Sequence, residues 1–105
     1  MSYFAVTREA GRAWTEGAGV MEQPALTDHA AFMNALAEQG VVLFGGPLAG
    51  TERGRIRALL IVSAEGEAEV RRSLADDPWE ASEQIRTVSV EPWTVFTGEA
   101  RLSSA

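Results

Sequence analysis

Residues 41–44 (VVLF) and 58–62 (ALLIV) are apolar at consecutive rather than alternate positions, so a strand built from either has two apolar faces. That pattern is the strongest constraint on the fold. Gly45, Gly46 and Pro47 follow the first run as a tight turn, and a polar connection, AGTERGR, leads into the second; the two strands therefore form an antiparallel hairpin. A sheet centred on such a pair needs an apolar cover on each side.

The rest of the chain can cover one of those sides. Residues 3–8 (YFAVTR) are rich in aromatic and β-favouring types and read as a first strand. From Thr27 the apolar period becomes helical: Phe32, Met33, Leu36 and Ala37 share a stripe, with Thr27 or Asp28 as N-cap and Gly40 as the stop. Residues 65–77 (EGEAEVRRSLADD) form a second amphipathic helix with Val70 and Leu74 inward, ending where Pro78 disfavours helical geometry at Asp77. Residues 85–96 (IRTVSVEPWTVF) make a fourth strand, in which Pro92 marks a bend or an edge. The order βαββαβ is the α+β arrangement called ferredoxin-like, an antiparallel sheet with two helices on one face. It occupies residues 1–97 as a single domain, with 98–105 expected as a disordered tail. The second face is then left for another copy of the chain, sheet against sheet, in a C2 homodimer. Residues 9–26 read as an irregular connection long enough for a lid. Trp14 within it either closes over a ligand or fills a gap in the core or an interface.

Composition removes several chemistries. The chain has no cysteine, so thiol nucleophiles, disulfides and thiolate metal sites are absent. Its nine basic residues are all arginine, which rules out Schiff-base lysines and the phosphate-loop lysine. The single histidine, His29, cannot build a multi-histidine zinc site within one subunit, and no metal or other cofactor is expected. A net charge of −6 argues against nucleic-acid binding, and the basic cluster RGRIR at 53–57 reads as a solvated hairpin. No secretory signal is visible and the longest aliphatic run is far short of a membrane span, so the expectation is a cytoplasmic protein without membrane contact.

Topology gathers what chemistry remains. In a βαββαβ sandwich the start of the first helix and the end of the second lie at one edge of the domain. There they join Arg8 at the end of the first strand, the Gly-Gly-Pro segment, and the entry to the fourth strand. His29 precedes Phe32, Met33 and Leu36 by three, four and seven positions, which puts it on the inward stripe of its helix. Beside the positive end of the helix dipole a neutral imidazole is favoured, and a neutral ring can accept a proton. Asp77 follows Leu74 by three, so it extends the inward stripe of the second helix while Asp76 points outward. A carboxylate bonded to one ring nitrogen fixes the tautomer and raises the basicity of the other. The pair is thus either a catalytic dyad or a buried bond locking two helices together. Gly46 and Pro47 leave space for a ligand as well as making a turn. Arg8 either supplies a cation to an anionic ligand or pairs with a surface acid. Trp79 and Trp93, placed beside the same edge, read as core or dimer contacts.

The ordered set YFAVTREAGRAW, DHAAFMNALAEQG, VVLFGGPL, ADDPW and VEPW resembles the YciI-like, or YCII-related, proteins over roughly residues 3–96. The resemblance implies a ferredoxin-like dimer of the α/β-barrel type. It also implies that His29 and Asp77 match the proposed active-site pair of the family, and Gly46 and Pro47 its Gly-Pro segment. A few relatives act as lyases or dehalogenating enzymes on oxygenated rings. Two function classes stand side by side. One is a small-molecule enzyme, a lyase, isomerase or dehalogenase, in which His29 moves a proton, Asp77 orients it, and Arg8, Gly46, Pro47 and Trp14 hold the substrate. The other is a non-catalytic dimer that binds a metabolite and reports it to transcriptional or stress regulation.

Overall fold

A computed structural model describes residues 1–103. Strand β1 (Ser2–Ala10) is followed by helix α1 (Leu26–Glu38), strands β2 (Val42–Pro47) and β3 (Arg57–Ala64), and helix α2 (Glu67–Ala75). A one-turn helix α3 (Pro78–Ala81), strand β4 (Ile85–Trp93) and a short helix α4 (Glu99–Ser103) complete it. The strands lie in the order β2-β3-β1-β4, and every pair is antiparallel. This is the ferredoxin-like sheet expected from the element order.

Alternation divides the sheet into two faces. Phe4, Val6, Leu60, Val62 and Val90 point one way and meet Leu36 of α1 and Val70 and Leu74 of α2 in a continuous core. A second core, at the end of the sheet where β1 stops, joins Ala10, Trp14, Ile56, Ala58, Trp79 and Ile85. The opposite face carries Phe44, Leu59 and Trp93, which are 57%, 39% and 44% exposed. The double-sided apolar character of β2 and β3 therefore has one side satisfied by helices and one side open.

Helix α1 ends as its glycine dictates. Gly40 adopts a left-handed φ of 78°, its N–H donates to Ala37, and the Val41 N–H reaches back to Leu36, which satisfies the last carbonyls of the helix. Its start differs from expectation. The N-cap is Ala25, also left-handed, rather than Thr27 or Asp28, because the Trp79 indole holds the Pro24 carbonyl at 2.8 Å and fixes how the chain enters the helix.

Residues 9–26 are better ordered than their composition suggests. β1 continues to Ala10, a 3-10 turn forms at Val20–Glu22, and the buried Gln23 carboxamide binds backbone groups of Thr15, Ala18 and Gly19. One amide thus gathers the loop about itself, so the segment is a fastened cap on the second core rather than a free lid. The Gly-Gly-Pro segment likewise does not turn the chain: Gly45, Gly46 and Pro47 pair with Leu60, Leu59 and Ala58 as strand residues. A Cβ on Gly45 would approach Leu60 Cδ2 to 2.4 Å, so the glycine allows the two strands to pack at this point. In the tail, residues 99–103 form α4, while Ser104 and Ala105 lie outside the described residues. Among the described residues no helix is long and apolar enough to cross a membrane.

Candidate active site

Helix α2 stops at Ala75, and Asp76 caps it, exposed, as the spacing requires. Asp77 then belongs to the next element. Its side chain accepts the Trp79 N–H at 3.0 Å as the N-cap of α3, and Pro78 occupies the first helical position, where a missing N–H costs nothing. The carboxylate therefore sits at the favourable, positive end of a helical turn, not at the C-terminus of α2.

Asp77 is fully buried and satisfied from three sides. His29 Nδ1 lies 2.8 and 2.9 Å from its two oxygens, and Arg8 Nη2 donates to Oδ2 at 2.8 Å. Burial alone would raise the pKa of this carboxyl. The His29 bond, the Trp79 N–H and the Arg8 charge outweigh that effect and hold it below the ordinary aspartate value of 3.8. An ionised carboxylate only accepts, so Nδ1 of a neutral His29 carries the hydrogen and Nε2 keeps a free lone pair. Nε2 has no hydrogen-bond partner among the described residues.

The imidazole is also held in its plane. It stacks on the Trp79 indole with centroids 3.9 Å apart and planes 7° from parallel, and Trp79 in turn meets Trp14 edge-on at 5.6 Å. Trp79, expected as a core residue, is both core and support for His29. Trp14 is buried behind it, in contact with the site through Trp79, and is not among the residues bordering the cavity. Trp93 lies at the far end of the sheet, paired with Tyr3, because β4 runs away from the site after Ile85.

A cavity of about 180 Å³ opens beside His29, bordered by Arg8, Met33, Gly45, Gly46, Pro47 and Trp79 among other, mainly apolar residues. Arg8 is 1% exposed. Its Nη2 is shared between Asp77 and Glu80, each at 2.8 Å, while its Nε is buried without a partner. The guanidinium is thus committed first to two carboxylates, with Nη1 directed to the Met33 sulfur at 3.7 Å and Nε the nitrogen left without a partner. Glu80, which the sequence reading did not single out, accepts from both Arg8 and the Thr87 hydroxyl. Its position three residues after the N-cap aspartate, on the turn that begins with Pro78, was the available signal. Among the described residues no three of His, Asp and Glu group closely enough to hold a metal ion.

The arrangement can fix one histidine tautomer, present its second nitrogen beside an apolar hollow, and supply a carboxylate to balance a proton taken up by the ring. Among solved structures the chain is similar to the 5-chloro-2-hydroxyhydroquinone dehydrochlorinase from Burkholderia phenoliruptrix, in complex with 2,5-dihydroxybenzoquinone. Sequence identity is 24% and the TM-score 0.62, over 90% of this chain and 95% of that one, which is a likeness of fold. No curated protein matches the chain in sequence. The YCII-related domain matches residues 1–94, nearly the whole length of the folded sandwich, and the chain belongs to that family.

Proposed function

We propose that the protein is a small-molecule enzyme in which His29 acts as general base and Asp77 orients it. The supporting observation is the coupling of an ionised, buried Asp77 to Nδ1 while Nε2 stays without a protein partner on a residue that borders a cavity. In this reading Nε2 takes a proton from a hydroxyl or an activated carbon of the substrate, and the resulting imidazolium is stabilised by the Asp77 carboxylate. The electron pair left behind either shifts a double bond or expels a leaving group, giving an isomerase or an eliminating lyase. Arg8 holds Asp77 in place, and its free Nε–H is the candidate donor to a substrate oxygen.

Size and lining narrow the substrate. An apolar cavity of about 150 Å³ accommodates benzene, so the hollow beside His29 suits one substituted six-membered ring. The similar dehydrochlorinase is in complex with a dihydroxybenzoquinone, and a hydroxylated, carbonyl-activated ring has the acidic proton such a base requires. We further take the exposed apolar face of the sheet to be covered by a second copy, in the dimeric α/β-barrel manner.

The test is incubation with hydroxylated and halogenated monocyclic phenols and quinones, followed by mass spectrometry for product, halide release and deuterium uptake from D₂O. Turnover is expected for at least one compound, and His29→Gln should lower it by about 10²-fold or more. The same change should cost only about 1 kcal/mol of stability, because Asp77 retains Arg8 and the Trp79 N–H. A bound compound recovered unchanged and unexchanged would establish the metabolite-binding reading instead.

A further inference from the structure

Four of the nine arginines of this acidic chain meet at one end of the sheet. Arg12 lies just past β1, Arg55 in the connection to β3, Arg57 at the first residue of β3, and Arg86 at the second residue of β4. Together they line a cleft of about 650 Å³. Two of the three arginines of the RGRIR cluster that reads in sequence as a solvated hairpin are thereby folded into a concave surface with two arginines from elsewhere. We propose that this cleft binds a compact, multiply charged anion, of the phosphate or polycarboxylate class.

The way these side chains are paired supports the assignment. Glu9, Glu80 and Glu83 also line the cleft, and Glu80 accepts from Arg8 and Thr87. The four cleft arginines are held by exposed or long ion pairs, or by none. Arg12 pairs with Glu83 at 2.6 Å, with both side chains more than half exposed, and Arg86 reaches Glu9 only at 3.9 Å. Arg55 pairs with Glu16, outside the cleft lining, and donates to the Ala10 carbonyl. Arg57 has no side-chain partner among the described residues. Exposed pairs of this kind contribute little stability and can be exchanged, leaving the carboxylates to water. Guanidinium groups match the geometry of phosphate and carboxylate oxygens two at a time, so several converging on one hollow select for multiple charge.

The cleft is separate from the His29 cavity. Ile56 and Ile85 border both and form the wall between them, so an anion here touches neither His29 nor Asp77. The proposal accordingly stands or falls apart from the catalytic reading.

Calorimetric titration with inorganic pyrophosphate in a low-chloride buffer tests it. Saturable binding of one equivalent per chain is expected, weakening as sodium chloride is added. The double change Arg57→Gln and Arg86→Gln should lower affinity at least tenfold. Arg71→Gln, on α2 and paired only with Glu67, should leave it unchanged. Competition by citrate would show that charge alone is recognised, and binding of pyrophosphate but not citrate would assign the phosphate class. No saturation, unaltered affinity in the double variant, or an equal loss in the Arg71 variant overturns the proposal. Should the double variant fail to fold, Arg57→Gln alone carries the test, since that side chain has no bond to lose.

Discussion

Asp77 concentrates most of the electrostatics of the site in one buried side chain. Desolvation opposes its ionisation, yet His29, the Trp79 N–H and Arg8 together leave its pKa below 3.8. A carboxyl depressed on folding adds stability that is fully present above the unfolded value and is lost as the pH falls through the folded one. Asp77→Asn should therefore destabilise by about 3 kcal/mol near neutral pH, as breaking a buried charged network does. The gap between the two melting temperatures should close as the pH drops below the ordinary carboxylate range. Melting curves across pH 2 to pH 8 measure it, and a gap that stays constant would show that packing, not charge, is what the aspartate contributes. Spacing marked His29, because a helical stripe predicts which way a residue faces; Asp77 is buried as expected, but as the N-cap of α3 rather than on the stripe of α2. Glu80 was marked only by its place three residues after the Asp-Pro start of α3, and the Trp79 stack was not legible at all, since it depends on how that turn packs against α1.

At the scale of elements, local signals were read correctly where they act locally. Gly40 ends α1 with the two backward bonds that a left-handed residue permits. Gly40→Ala should cost about 1 kcal/mol in urea unfolding, from the left-handed backbone alone, because a Cβ there meets nothing within 4 Å. An unchanged midpoint would mean that another residue relieves the strain. Asp-Pro-Trp is the opposite case: Pro78 stops one helix and starts another, and the start matters more. An N-cap aspartate followed by proline at the first helical position is a start signal visible in the sequence. Reading the proline as a stop alone gave the right end to α2 and the wrong environment for Asp77. Residues 9–26 were misjudged for a different reason, since nothing in their polar composition shows that Gln23 folds back on its own loop.

Over the whole molecule the exposed apolar face of the sheet calls for a cover. Phe44, Leu59 and Trp93 stand there beside the buried Ile61. A second copy covering them predicts a dimer by light scattering, and Leu59→Glu should shift it to monomer with the helix-side core intact. A wild-type monomer at micromolar concentration would instead leave the face to another occupant. The element order, the antiparallel sheet, the doubly apolar strands and the inward direction of His29 were determined by sequence alone, because hydrophobic periodicity and glycine or proline punctuation operate over a few residues. Only the tertiary structure decided that Arg8 would bridge two carboxylates, that Trp79 would carry the imidazole, and that four distant arginines would share one cleft. Those contacts join residues far apart in the chain, and their geometry depends on how packed elements are rotated and where each one stops, which no local pattern encodes.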